Sequence, residues 1–269
     1  MSDIKAEVNR SVGLLHIDGH PAGTGFRVGD KYIITCLHVI KDIIIQDGCI
    51  DSTRICIQFE RKRLLQTVAP NEEFNFNPTL HYTHDDYDIA ILELRERIDE
   101  IKYPPPLTSF SKMQFPLEVH LIGHPGGVQM MEDSEVYPGI ISDSYWDERI
   151  TELSQWSLRN CPDTEHTANR DYYAALRHPP RKILFHTTFC QGSSGSPGVM
   201  IKNGKSFAVL IVVGGVPKCH YDGIAKVEPK NRVEYGYAVE DICGEMKRSA
   251  HGNIKVLAKQ IFGELYDKI

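Results

Sequence analysis

No stretch of this sequence stays apolar long enough to cross a membrane. The longest clear run, Phe207 to Val213 and on through Gly214-Gly215 to Val216, is about half of the roughly 20 residues that a bilayer span needs. A secretory leader is also missing: Met1-Ser2-Asp3-Ile4-Lys5 leads into a polar stretch and not into an apolar core of roughly 7–15 residues. Positive charge is in deficit, with 30 Lys and Arg against 36 Asp and Glu and a net charge of −6. No overall positive field is therefore available to recruit phosphate backbones, and neither nucleic acid nor membrane is expected as a direct partner. Cysteine is sparse and odd in number, seven in 269 residues, which suits free thiols in a reducing compartment. These shortages predict a soluble intracellular protein, cytoplasmic or nuclear, in which the Asn9-Arg10-Ser11 triplet is not a glycosylation site. Internal repeats and low-complexity tracts are absent as well.

What is present is an ordinary globular composition, 41% hydrophobic and 25% charged, able to bury a substantial core. Most of the first 235 residues are short, often β-branched apolar segments separated by Gly, Pro, Asn and Asp, the pattern of an all-β sandwich or barrel. Nine segments carry it: Ser11–Ile17, Thr24–Val28, Tyr32–Thr35, Ile55–Phe59, Asp88–Leu94, Val119–Ile122, Ile183–Thr187, Phe207–Val213 and Glu234–Val239. Tyr103-Pro104-Pro105-Pro106 cannot lie in a central strand, since each proline removes a ladder donor, and so reads as a connector. Trp146–Leu158 has helical character, followed by a polar insertion. After Tyr237, Val239, Ile242, Met246, Ile254, Leu257, Ile261 and Leu265 recur at helical spacing, predicting two closing helices split near Gly252. These helices can either seal a barrel or form a homodimer.

Gly192-Ser193-Ser194-Gly195-Ser196-Pro197 is the sharpest local signal. Small residues let the backbone turn tightly, exposing one hydroxyl while the amides of Gly192, Ser193 and Ser194 converge on a developing oxyanion. Taken alone, the stretch fits a flexible loop better than a nucleophile turn. A serine nucleophile also needs a base, and among twelve histidines His38 directly follows the strongly β-forming run Tyr32–Leu37. The base in turn needs a carboxylate to fix its tautomer. Asp88, at the head of the apolar run Ile89–Leu94, fits better than the neighbouring Asp85 and Asp86, because burial strengthens its bond to His38.

Thr35-Cys36-Leu37-His38-Val39, Tyr87-Asp88-Ile89-Ala90 and Gly192–Pro197 together resemble the three signature motifs of the trypsin-like serine peptidases, in the chain order His, Asp, Ser. Ile122-Gly123-His124-Pro125-Gly126-Gly127 is similar to a strand-ending motif of the intracellular branch, including the HtrA/Deg proteases. Thr35–Ile40, Ile122–Pro125, Gly192–Pro197 and Glu234-Tyr235-Gly236 resemble more closely the protease domain of the vertebrate nuclear serine peptidases linked to replication forks. The resemblance implies two six-stranded antiparallel β-barrels packed face to face. Residues 1–110 would carry His38 and Asp88, residues 111–237 would carry Ser194 with an insertion at about 142–182, and residues 238–269 would form the helices. It implies serine endopeptidase activity on protein or peptide substrates, without cofactor or metal. In relatives activated by cleavage an aspartate precedes the nucleophile; Ser193 stands there, so no such activation is expected.

The resemblance also places the floor of the specificity pocket at Thr188, six residues before Ser194, with Val213, Gly214 and Gly215 as a wall. A floor without an acid implies preference for aromatic or large apolar side chains. Cys190 and Cys219 occupy positions like those of a pocket-rim disulfide in secreted members and are expected as neighbouring thiols able to oxidise reversibly. Cys36 reads as a small buried hydrophobe. His81, His84, Asp85 and Asp86 read as a polar loop, not a metal site, and the polar Cys161–His178 segment as a site of self-cleavage. The competing class is a catalytically quiet module of the same fold that binds extended peptides or partner proteins in its cleft.

Overall fold

A computed structural model describes residues 2–45, 48–59, 73–96, 103–160, 173–221 and 224–269. Its first sheet is built from β1 (Val12–Ile17), β2 (His20–Val28), β3 (Tyr32–Cys36), β4 (Ile44–Ile45), β5 (Cys49–Ile50), β6 (Ile55–Phe59), β7 (Glu73–His84) and β8 (Ile89–Leu94). The order β7-β6-β1-β2-β3-β8 closes on itself through β7–β8 pairing, and β4-β5 hangs from β7 as a ribbon. β3 and β8 are buried throughout and mostly apolar, since a strand covered on both faces has no solvent side to alternate with; Glu93, the charged exception, pairs with Lys31 and His81. Pro78 sits where the β7–β8 register shifts between Phe76 and Leu80, the irregular position a proline tolerates.

The second sheet comprises β9 (Val119–Gly123), β10 (Met131–Val136), β11 (Gly139–Ile140), β12 (Ile183–Phe185), β13 (Pro197–Lys202), β14 (Lys205–Val216) and β15 (Val233–Ala238). Its order is β10-β9-β13-β14-β15-β12-β11. It curls into a half-barrel; among the described residues no ladder joins β10 to β11. The architecture is the trypsin-like, mostly-β fold with C-terminal helices.

One apolar cluster runs from the first barrel (Phe26, Ile34, Ile91) across the seam (Ile122, Ile211, Val213, Tyr237) into the C-terminal helices (Ile242, Met246, Leu257, Ile261). Each such side chain, fully buried, contributes about 1.5–3 kcal/mol, so the two sheets and the helices share one stabilising core. The C-terminal helices are three, Val239–Arg248, Gly252–Phe262 and the short Glu264–Lys268, because Gly263, at φ 49°, breaks the second. Their apolar stripes face the shared core. The helix Ser144–Asn160 buries Trp146, Ile150 and Leu153 against Leu184, Val216 and Val233, matching the helical pattern of Trp146–Leu158. The helix Ser2–Ser11 was not expected; it is held where Val8 is buried and the Ser11 hydroxyl donates to the Pro105 carbonyl at 2.7 Å. Residues 161–172, within the expected self-cleavage segment, lie outside the described residues.

Candidate active site

The register of β3 against β8 pairs Cys36 with Ile89. His38 therefore emerges just past the end of β3, opposite Asp88, which immediately precedes β8. Two backbone bonds fix the meeting: Leu37 N–H donates to the Asp88 carbonyl at 2.9 Å and His38 N–H to Asp88 Oδ1 at 2.8 Å. The other carboxylate oxygen, Oδ2, pairs with His38 Nδ1. Asp88 adopts φ 50°, a left-handed conformation costing a non-glycine residue on the order of 1 kcal/mol. Its amide bond to the Asp85 carbonyl at 3.0 Å and its carboxylate's two bonds to His38 hold it there. Asp85 and Asp86 lie exposed in the preceding turn.

Ser194 is carried on the turn between β12 and β13. Gly195, at φ 89°, packs so tightly against β2 that an added Cβ would lie 2.1 Å from the Thr24 carbonyl oxygen. That contact brings Thr24 N–H to the Ser194 carbonyl at 2.9 Å, tying the nucleophile turn of the second sheet to the first barrel. Ser194 Oγ then stands 3.0 Å from His38 Nε2 and 3.2 Å from the Val213 carbonyl. One imidazole thus has Asp88 on Nδ1 and the Ser194 oxygen within hydrogen-bonding reach of Nε2.

The Gly192 and Ser194 amides donate to no backbone carbonyl among the described residues, and both residues line the same cavity. Ser193 departs from expectation: its N–H donates to the Cys190 carbonyl at 3.1 Å, so this amide is committed inside the turn and is not an oxyanion donor.

The cavity at the seam encloses about 440 Å³ and is lined by Phe189, Val213, Gly215, Tyr221 and Glu234 as well as by His38 and Ser194. Val213, Gly214 and Gly215 also line it. Thr188 does not form its floor. It is exposed, its amide donating to Asp133 Oδ2 at 2.6 Å and its hydroxyl at 2.9 Å, and this anchor draws it into a separate hollow with Tyr145 and His186. Tyr221 and Glu234 line the cavity instead. The Tyr221 hydroxyl donates to Glu234 Oε1, and its ring lies where a Cβ on Gly215 would fall, 2.3 Å away.

Cys190 and Cys219 are thiols and not a disulfide, with Cys219 buried among Val227, Trp156 and Ala225. Cys36 is buried with its thiol pushed well above the ordinary value, first by burial and then by the Asp88 charge; its Sγ–H donates to the Val212 carbonyl at 3.3 Å. His81 bonds Glu93 at 2.5 Å and His84 faces Glu245 at 3.9 Å, so these two histidines turn to different carboxylates. Among the described residues, one trio, Cys36, His38 and Asp88, holds potential ligand atoms within 4.8 Å of one another. It coincides with the Ser194 site, and the high pKa of the Cys36 thiol opposes the thiolate that metal binding requires. No helix among the described residues is long and apolar enough to cross a membrane.

The sequence profile of the trypsin-like peptidase domain matches residues 23–209. The chain belongs to the trypsin-like peptidase family. The chain is 24% identical to mouse serine protease FAM111A over 262 residues, covering 91% of this chain and 40% of that protein. It is 25% identical to human serine protease FAM111B over 289 residues, covering 97% of this chain and 35% of that protein. The chain thus spans well under half of these relatives. The active form of the M. tuberculosis Rv3671c protease superposes with a TM-score of 0.50 at 15% identity, covering 93% of this chain and 87% of that one, a likeness of fold.

Three residues that frame this site were given no role there from the sequence alone. Thr24 accepts from the His124 amide at 3.1 Å and donates to the Gly192 carbonyl at 2.8 Å, clamping the Ile122–Gly127 motif to the nucleophile turn. Tyr237 donates to the Asp86 carbonyl at 2.8 Å and so steadies the turn that delivers Asp88. Glu234 sits in the apolar strand Val233–Ala238 with 3% exposure; a carboxylate buried in such a strand was the signal that could have found it.

Proposed function

We propose that this chain is a serine endopeptidase whose triad is His38, Asp88 and Ser194. The observation that carries the reading is the linked pair of contacts on one imidazole, Asp88 on Nδ1 and Ser194 Oγ 3.0 Å from Nε2. As a substrate carbonyl carbon approaches Oγ, His38 Nε2 takes the hydroxyl proton and Asp88 stabilises the resulting imidazolium. The carbonyl oxygen gains negative charge, which the Gly192 and Ser194 amides receive by hydrogen bonding. His38 then gives its proton to the departing amine. Water, activated by the same imidazole, releases the acyl group from Ser194 and restores the site.

The substrates are proteins or peptides, and the preference is for aromatic or large apolar side chains at the cleaved residue. Phe189 and Val213 on the walls of the 440 Å³ cavity support this, since a hydrophobic slot gains from burying apolar surface. Digestion of a proteome-derived peptide library tests both parts. The expected result is cleavage after Phe, Tyr, Leu or Met that disappears in Ser194→Ala. No Ser194-dependent cleavage would favour a quiet peptide-binding module, and cleavage confined to other residue types would overturn the preference.

A further inference from the structure

The specificity cavity holds a group that a purely apolar slot does not need. Glu234 faces Gly215 across the β14–β15 ladder, is 3% exposed and lines the cavity. Its Oε1 accepts the Tyr221 hydroxyl, whereas Oε2, also buried, has no hydrogen-bond partner among the described residues. A buried carboxylate oxygen without a partner is costly unless a ligand or a proton satisfies it. The Gly215 backbone leaves room only for the Tyr221 ring, which fixes the hydroxyl against the acid.

We propose that Glu234, and not Thr188, is the specificity-determining residue of this pocket, its protonated form capping an apolar slot and its ionised form holding a cationic side chain. The proposal deepens the peptidase reading and rests on it for the identity of the cavity. When protonated, the carboxyl and the Tyr221 phenol form an uncharged floor, against which aromatic and large aliphatic side chains pack. When ionised, the Glu234 carboxylate, which lines the cavity, offers a charge-assisted acceptor to a Lys or Arg side chain, and an apolar occupant leaves that charge unpaired.

The groups around Glu234 allow both states near neutrality. Burial raises its pKa to about 7, against the opposing pull of the Tyr221 hydroxyl, the Arg232 charge and the nearby backbone amides of Glu234 and Thr187. Arg232 is shared, since its Nη1 contacts His220 Nε2 at 2.6 Å. Cys190 and Lys218 also line the cavity, with His38 and Asp88 at the mouth. Thr188 cannot take the role because its hydroxyl and amide are bound to Asp133.

Benzamidine, a cationic aromatic amidine, is the probe, titrated by calorimetry into Ser194→Ala protein at pH 6 and pH 8. A carboxyl titrating near 7 passes from about one-tenth to nine-tenths ionised over this interval, so affinity should rise about tenfold; Glu234→Gln in the same background should make it independent of pH. In the protein with Ser194 intact, the ratio of kcat/KM for a Lys substrate to that for its Phe counterpart should rise over the same interval, since the ratio cancels what the shared catalytic groups contribute. Equal benzamidine affinity at both pH values, or a pH dependence that survives Glu234→Gln, overturns the proposal. Should Glu234→Gln not fold, Tyr221→Phe serves: losing a hydrogen bond to the charged form must move the midpoint upward, and an unmoved midpoint refutes the role. pH-dependent amidine binding without any peptide cleavage would sink the peptidase reading while sustaining the acid's role, whereas cleavage with a pH-flat substrate ratio would do the reverse.

Discussion

Replacing Glu234 by glutamine keeps the side chain's shape and removes its ability to ionise. The native fold holds the proton on Glu234 up to about 7, compared with an ordinary value of 4.5, chiefly because burial penalises the charge. The unfolded chain, being solvated, releases the same proton near the ordinary value. The folded state therefore binds more protons than the unfolded state between these limits, and stability falls as pH rises through that window. Above about pH 7 the loss is complete and constant. The gap corresponds to roughly 3 kcal/mol at about 1.4 kcal/mol per pH unit, of which about 2–3 kcal/mol falls between pH 5 and pH 8. Urea unfolding of both proteins at the two pH values isolates this contribution, because every other titrating group is common to both. The difference between variant and wild type should shift in the variant's favour by about 2–3 kcal/mol from pH 5 to pH 8. Parallel pH dependences in the two proteins would refute the reasoning.

Three further perturbations address the site's construction. Asp88→Asn keeps the shape but presents the wrong hydrogen-bonding partner to His38 Nδ1, and should lower kcat by on the order of 10⁴ with the circular dichroism spectrum retained. Gly195→Ala places a methyl 2.1 Å from the Thr24 carbonyl oxygen at φ 89°; the turn must shift, costing about 1–3 kcal/mol in thermal unfolding and most of the turnover of a fluorogenic peptide. Thr24→Val strips the partner from the His124 amide and the Gly192 carbonyl, with an expected loss of about 1–3 kcal/mol and faster hydrogen exchange in residues 192–195.

The sequence made legible those elements whose residues answer to one dominant force. β3, β6, β8 and the central part of the long β14 are largely apolar and mostly buried, and each was expected within three residues of its ends. β7 and β10 were not, since their exposed faces carry Asn, His, Glu and Asp and their pairing, not their burial, makes them strands. The histidine, aspartate and nucleophile turns were readable from chain order and flanking strands. Thr188 was misplaced because sequence spacing cannot register Asp133, whose carboxylate comes from a different strand. Ser193 was assigned an outward amide because tight turns look alike until each N–H is traced to its acceptor. Glu234 stood out only as part of Glu234-Tyr235-Gly236; its burial beside the cavity could not be read from its neighbours in sequence.

The contact between Ser194 Oγ and His38 Nε2 at 3.0 Å makes the central claim that this hydroxyl is activated by this imidazole. Intact-mass spectrometry after treatment with a fluorophosphonate probe tests it most directly. One probe mass should add to the wild-type chain, map to Ser194, and be lost in both Ser194→Ala and His38→Ala. A folded wild-type protein that stays unlabelled, or labelling that persists in His38→Ala, would contradict the account.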